Sequence, residues 1–77
     1  MTIEEFIEKV EAEFPDLEPG KLLPDSLYRE VLNWSSINAL ILIALVATEY
    51  DVIITADDLR STVTLKELFD IVKERIS

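Results

Sequence analysis

The sequence contains no cysteine and no histidine, and it has a single glycine. Without cysteine or histidine the chain offers no disulfide, no thiolate nucleophile, no imidazole base and few zinc ligands. Carboxylate pairs such as Asp57 and Asp58 remain, but no base lies at a readable spacing from a nucleophile. We therefore predict no metal site and no catalytic residue, and we expect that the protein is not an enzyme.

Basic residues are also scarce, with seven lysines and arginines against 16 acidic residues and a formal net charge of −9. Such a surface repels the phosphates of nucleic acids and the anionic face of a membrane, but it attracts proteins with a basic patch. The N-terminal residues show neither the basic region nor the apolar region of a signal peptide. We expect a cytoplasmic protein that does not bind nucleic acid.

The length of 77 residues allows one domain, which we assign to residues 1–77, and apolar residues make up 49% of the chain. That apolar fraction favours one folded core over a disordered segment, and we expect a monomer.

Apolar residues at helical spacing predict a first helix after Thr2, which forms a capping-box pattern with Glu5, and Pro15 ends it. A long connection then runs from residue 15 to residue 34 and contains all three prolines and the glycine. We predict one short helical turn near Tyr28 to Leu32. The apolar residues expected to anchor this connection to the core are Leu22, Leu23, Leu27, Tyr28, Val31 and Leu32.

No charged residue occurs between Val31 and Thr48, and the apolar part of this run, residues 37–47, is too short to cross a bilayer. It predicts a second long helix that begins at Ser35 or Ser36 and ends near Glu49. Capping patterns at Thr55 and Thr64 then predict a short third helix over 56–61 and a last helix whose apolar stripe is Leu65, Leu68, Phe69, Val72 and Ile76.

From Leu32 to Ile76 the chain resembles the acyl carrier proteins, without a gap. The motifs that carry the resemblance are Trp34-Ser35-Ser36-Ile37, Glu49-Tyr50-Asp51-Val52-Ile53-Ile54, Asp57-Asp58-Leu59 and Thr62-Val63-Thr64-Leu65. The resemblance implies an all-α, acyl-carrier-like four-helix bundle, with three main helices, a short third helix and a long loop between the first two. It also implies a carrier of acyl intermediates for fatty acid or related acyl or polyketide biosynthesis, bound as thioesters to a 4'-phosphopantetheine arm.

In that family the arm is attached to a serine that begins the second helix, and Ser36 stands at the family's spacing before Tyr50. The alternatives are Ser35 and Ser26, since Asp25-Ser26-Leu27 is literally the family's tripeptide. A helix begun at Ser26 would have to continue through Asn33-Trp34-Ser35-Ser36, residues that prefer helix caps to helix interiors. A serine at a helix N-terminus can also be a plain N-cap.

The sequence departs from the family's pattern at Ser35, where an aspartate is usual, and at Asn33-Trp34, as in a divergent Trp-Ser-Ser branch. The resemblance implies docking of phosphopantetheinyl transferase, acyl-transfer and condensing enzymes or an acyl ligase on the second helix. Where the family has carboxylates, this helix has Ile37, Ile41, Ala44, Leu45 and Thr48. Those that face solvent would form an apolar patch, so we expect partly apolar docking, helped by Glu30, Glu49, Asp57 and Asp58; the alternative is that these apolar residues deepen the core. The residues that would line an acyl chain are Leu40, Ile43, Val46, Ile54, Leu59, Leu68 and Phe69; the alternative for them is an ordinary core.

The identity of the passenger, and whether there is one, stay open on the sequence alone. The passenger could be a fatty acyl, a polyketide or an aminoacyl or peptidyl group, and the sequence does not decide among them. A helical protein-interaction module without a prosthetic group is the remaining alternative, and it predicts no modified serine.

Overall fold

The computed structural model describes residues 2–76, so Met1 and Ser77, the ends of the predicted domain, lie outside the described residues. Within 2–76 there is no β-strand, and one isolated bridge joins Leu27 and Thr64. The prediction of an all-α fold is confirmed. The helices are α1 (Ile3–Glu13), α2 (Tyr28–Val31), α3 (Ser36–Tyr50), α4 (Ala56–Ser61) and α5 (Leu65–Arg75).

The starts of α4 and α5 are held by the two capping boxes that the sequence predicted. Thr55 Oγ1 accepts a hydrogen bond from the backbone N–H of Asp58 (3.2 Å), and the Asp58 carboxylate accepts one from the N–H of Thr55 (2.8 Å). Thr64 and Glu67 make the same reciprocal pair. Each box satisfies two backbone donors that the first helical turn leaves free.

The ends of α1 and α3 have local causes as well. Thr2 caps α1 by accepting from the N–H of Glu5, but the reciprocal bond, from the N–H of Thr2 to the Glu5 carboxylate, is not among the hydrogen bonds of residues 2–76. The predicted box is therefore half formed. α3 ends at Tyr50 because Asp51 adopts the left-handed conformation, with φ 56°.

The core is formed where α3 packs against α1 and where α5 packs against both α1 and α4. Two α1 residues, Phe6 and Val10, are fully buried, and Phe6 lies 5.7 Å from Phe69 between ring centroids. The other helices and connections add the remaining core residues: Phe14, Leu22, Tyr28, Leu32, Leu42, Leu45, Val46, Val52, Ile54, Leu59, Leu65, Leu68 and Val72.

The long connection is anchored mainly by its backbone. Gly20 adopts φ 87° and donates its N–H to the Glu11 carboxylate (2.9 Å), and the N–H of Lys66 at the start of α5 donates to the carbonyl of Pro24 (2.8 Å). The predicted helical turn is present as α2. Leu22, Tyr28 and Leu32 are buried and Val31 is half-buried, as predicted.

Three predicted core positions are wrong. Leu23 and Leu27 are 53% and 43% exposed, because the backbone beside them pairs with the start of α5 and turns their side chains outward. Ile76 follows the end of α5 and is 40% exposed. Across residues 2–76, no helix combines the length and the apolar character needed to span a membrane.

Candidate functional site

Ser36 is the first residue of α3 and its side chain is exposed. The preceding residue, Ser35, has the extended backbone of an N-cap, and its Oγ accepts from the N–H of Asn38 at 3.2 Å. Among the hydrogen bonds of residues 2–76, none involves the Ser36 hydroxyl. The capping role therefore falls on Ser35, which leaves the Ser36 oxygen accessible to a reactant.

The third candidate serine is engaged as well. Ser26 lies in the connection before α2, is half-buried, and its Oγ accepts from the N–H of Leu23 at 2.8 Å. It does not begin a helix, because α2 starts at Tyr28. Of the three serines that the sequence left open, Ser36 alone combines an exposed hydroxyl without a described partner and a place in the first turn of a long helix.

The first turn of α3 is electrostatically suited to an anion. Two of its backbone N–H groups, those of Ser36 and Ile37, donate to no acceptor within residues 2–76, and the positive end of the helix dipole lies here. Within residues 2–76, α3 is also the only helix whose first turn holds no carboxylate. A phosphate bound to Ser36 would meet backbone donors and no adjacent like charge on its own turn.

The segment before Ser36 is fixed by two features that we did not predict. Asn33 has φ 51°, and the N–H of Trp34 donates to the carbonyl of Arg29 (3.0 Å), which is the Schellman motif that closes α2. The Asn38 side-chain amide, from the first turn of α3, donates to the carbonyls of Leu32 (2.7 Å) and Asn33 (3.1 Å). An asparagine directly after a short helix is a sequence signal that could have predicted this ending. No sequence signal predicts the Asn38 contacts, because they depend on how α2 meets α3.

The exposed face of α3 differs from the predicted docking face. Ile37 is 68% exposed and Thr48 and Glu49 are exposed, but Leu45 is 6% exposed and Ile41 is half-buried. Leu45 therefore contributes little to the exposed surface of α3, because this side of the helix packs towards α1. The side chains that do form one exposed stripe at helical spacing are Ile37, Leu40, Ala44 and Thr48.

Most of the acidic residues expected to assist docking have partners within the chain. Glu49 binds Lys9 (2.8 Å), and Asp57 pairs with Arg60. Asp58 receives two hydrogen bonds from the Arg75 guanidinium, one of them at 2.9 Å, and these hold the pKa of Asp58 at about 2, below its ordinary 3.8. Glu30 is exposed on α2.

Five of the seven predicted acyl-chain residues are buried and lie together in the core: Val46, Ile54, Leu59, Leu68 and Phe69. Ile43 is half-buried, and Leu40 is 64% exposed on the α3 stripe, so Leu40 lies outside this buried group. None of the three cavities described for residues 2–76 is lined by any of the seven.

The comparisons with known proteins add no relative. No protein-family model matches the chain, and no curated protein and no solved structure matches it.

Proposed function

We propose that the protein is an acyl carrier protein, with a phosphopantetheine arm on the Ser36 hydroxyl and acyl intermediates held on that arm as thioesters. The single observation that carries the proposal is the state of Ser36: an exposed hydroxyl without a described hydrogen bond, in the one helical first turn of residues 2–76 that lacks a carboxylate. The sequence motifs that resemble the family supply the identity of the group.

Attachment of the arm requires no catalytic group on this chain. A separate transferase supplies catalysis and coenzyme A supplies the arm, so Ser36 has only to present its oxygen and then tolerate a phosphodiester. The N–H groups of Ser36 and Ile37 and the helix dipole stabilise that negative charge. Because the chain contains no cysteine, the thiol at the end of the arm is the only one to which an acyl group can be bound.

Partner enzymes are proposed to dock on the exposed stripe of α3 defined above. This stripe carries no charge and begins next to Ser36, so an apolar contact there would place an enzyme beside the arm. The acids named for docking contribute less than the sequence suggested, since Glu49, Asp57 and Asp58 are already paired within the chain. Fatty acid or polyketide biosynthesis remains the proposed setting.

The test is an in vitro loading reaction. The purified protein is incubated with coenzyme A, magnesium and a broad-specificity phosphopantetheinyl transferase, and the intact mass is measured and the site mapped by peptide fragmentation. We expect a gain of one phosphopantetheine on Ser36 that disappears in Ser36→Ala and persists in Ser26→Ala and Ser35→Ala.

Other outcomes separate the alternatives. A mass gain mapped to Ser26 or Ser35 would assign the attachment site to that serine instead of Ser36. No gain with this enzyme or with a transferase from the native source would favour a helical interaction module without a prosthetic group. Once the arm is attached, loading assays with acyl and aminoacyl donors distinguish an acyl carrier from an aminoacyl or peptidyl carrier.

A further inference from the structure

We infer that the end of the arm and a short acyl passenger lie in an outer groove, lined by Leu27, Arg29, Glu30, Trp34 and Val63, and not in the core. The inference rests on the proposed attachment of the arm to Ser36. It assigns a resting place for the thioester on this chain that is separate from the predicted acyl-chain residues.

The core beside α4 contains a buried hydrogen-bond network. Tyr28 is fully buried, and its hydroxyl donates to the Leu59 carbonyl (3.0 Å) and lies 2.7 Å from Thr62 Oγ1. Thr62 Oγ1 also bonds to the carbonyl of Asp58 at 3.0 Å. An aliphatic chain entering here would separate these groups in a dry environment without replacing their hydrogen bonds, which is unfavourable.

The outer groove presents the opposite surface, open and mainly apolar. It encloses about 370 Å³, and two of its walls, Leu27 and Val63, are 43% and 50% exposed. Trp34 forms a third wall; its ring meets Tyr28 edge-on with centroids 5.8 Å apart, so it is held in place. A passenger in this groove would cover apolar surface that now faces water.

The two sides of the groove are joined by the backbone. Leu27 pairs with Thr64 in the isolated β-bridge, and the Arg29 guanidinium donates to the carbonyl of Thr62 at 2.9 Å. These contacts tie α2 to the connection between α4 and α5. The groove is therefore already formed in the structure, and the volume is in the range of about 300–1,000 Å³ that is typical of ligand sites.

The outer groove lies within reach of Ser36, and its charge favours it over another cavity of similar volume. Trp34 is two residues before Ser36, so its Cα lies within about 7 Å of the attachment residue. A cavity of about 360 Å³ between α1 and α3 is equally near, but its lining includes the carboxylates of Glu13, Asp16 and Glu18 against one lysine. The outer groove has one arginine and one glutamate, so it does not repel an arm that carries a phosphodiester.

The experiment uses the single tryptophan of the chain as the reporter. Ser36 is loaded by transferase with coenzyme A, or with butyryl-, hexanoyl- or octanoyl-coenzyme A, and complete loading is verified by mass. We expect the emission of Trp34 to shift to shorter wavelength on acylation, and ¹³C-labelled hexanoyl groups to show nuclear Overhauser contacts to the methyl groups of Leu27 and Val63.

A matched pair of variants sharpens the test. Val63→Ser removes one wall and is expected to reduce the emission shift at least twofold. Leu23→Ser is the control, because Leu23 is 53% exposed against 50% for Val63 but does not line the groove, and it should leave the shift unchanged.

The outcomes that overturn the inference are distinct from failure of the proposed function. If loading is complete and the labelled passenger contacts Val46, Ile54 or Phe69, the acyl chain lies in the core. That result would overturn this inference and leave the proposed function intact. Complete loading with no contact to Leu27 or Val63 would do the same. Absence of any mass gain would overturn the proposed function, and this inference with it.

Discussion

Single side chains decide which of two adjacent serines is chemically free. Ser35 uses its hydroxyl to cap α3, whereas the hydroxyl of Ser36 has no described hydrogen bond. The order Ser35-Ser36 thus separates the structural role from the proposed chemical role. The same contrast between a bonded and an unbonded hydroxyl occurs in the core, where Tyr28 is bonded and the buried hydroxyl of Tyr50 has no partner among residues 2–76.

The two serines should therefore differ in their effect on stability. Replacing the N-cap in Ser35→Ala is expected to lower the free energy of unfolding by about 1 kcal/mol, while Ser36→Ala should change it by less than about 0.5 kcal/mol. Urea unfolding followed by circular dichroism measures both. A larger loss for Ser36→Ala than for Ser35→Ala would contradict the assignment of the cap.

The two tyrosines should respond in opposite directions to removal of the hydroxyl. Burial raises the pKa of both tyrosines, but within the described part of the chain only the Tyr28 hydroxyl makes hydrogen bonds. Tyr50→Phe is expected to raise the free energy of unfolding by about 1 kcal/mol, and Tyr28→Phe to lower it by about 1–2 kcal/mol, because it leaves buried partners unsatisfied. Thermal unfolding of the two variants provides the measurement, and a destabilised Tyr50→Phe would show that its hydroxyl has a partner in solution.

At the scale of the elements, the rotation of α3 about its axis determines what the helix offers to partners. Nearly all of its residues are apolar, yet Leu42, Leu45 and Val46 are buried while Ile37 and Leu40 are exposed. The packing of α1 on one side of α3 makes this choice. The exposed stripe consequently keeps Ile37, Ala44 and Thr48 of the predicted docking residues, but has Leu40 in place of Ile41 and Leu45.

Charged substitutions on the two sides of α3 should separate docking from folding. Leu40→Glu is expected to leave the unfolding curve nearly unchanged and to slow transferase loading of Ser36 roughly tenfold, equivalent to about 1.4 kcal/mol. Leu45→Glu buries a charge against α1 and should lower the free energy of unfolding by about 3 kcal/mol. Loading rates and urea unfolding measure the pair, and an unchanged loading rate in Leu40→Glu would argue against the apolar docking stripe.

The start of α4 is linked to the end of α5 by a contact that depends on pH. Asp58 accepts from Arg75 as well as from the N–H of Thr55, and its pKa is lowered to about 2 from 3.8. A lowered pKa means that the ionised carboxylate stabilises the folded state above pH about 4, and that this contribution is lost as the pH falls towards about 2.

Asp58→Asn should remove this contribution. At pH about 7 we expect the variant to be less stable by about 1 kcal/mol, and its loss of stability between pH about 4 and about 2 to be shallower than that of the unaltered protein. Asp57→Asn is the matched control, since Asp57 pairs with Arg60 at the surface, where ion pairs contribute little. Equal pH slopes for all three proteins would exclude the proposed link.

For the molecule as a whole, the charge is unevenly distributed. Five of the seven basic residues are already in ion pairs: Lys9, Lys21, Arg60, Lys66 and Arg75. The remaining carboxylates are numerous on α1 and the connection after it, whereas the exposed stripe of α3 carries no charge. Repulsion among uncompensated carboxylates opposes folding, and the uncharged stripe leaves one face open to apolar contact.

Added salt should therefore stabilise the protein. Raising sodium chloride from about 10 mM to about 0.5 M shortens the range of repulsion from about 30 Å to a few ångströms, and we expect Tm to rise by roughly 4–8 °C. Glu8→Gln, which removes a carboxylate one turn from Glu4 on the exposed face of α1, should show a higher Tm at low salt and a smaller rise. A Tm that falls with salt would indicate that the ion pairs outweigh the repulsion.

Much of the fold could be predicted from local patterns. The capping residues Thr55 and Thr64, the break at Asp51 and the apolar spacing of α1 and α5 act within one or two helical turns, so their effects can be read along the chain. Local rules also favoured Ser36 over Ser26, because a helix from Ser26 would have had to pass through Asn33. These features determined the helices, whereas the choice of Ser36 over Ser35 came from the spacing to Tyr50 that the family resemblance implies.

Only the tertiary structure decided which apolar residues face water and which cavities exist. The run of α3 is apolar on almost every side, so its own pattern does not distinguish Leu40 from Leu45; contact with α1 does. The hydrogen-bond network of Tyr28 with Leu59 and Thr62 joins residues about thirty positions apart. The outer groove likewise has walls from two separate segments. Contacts between segments distant in sequence depend on how the helices pack, and no local pattern records that packing.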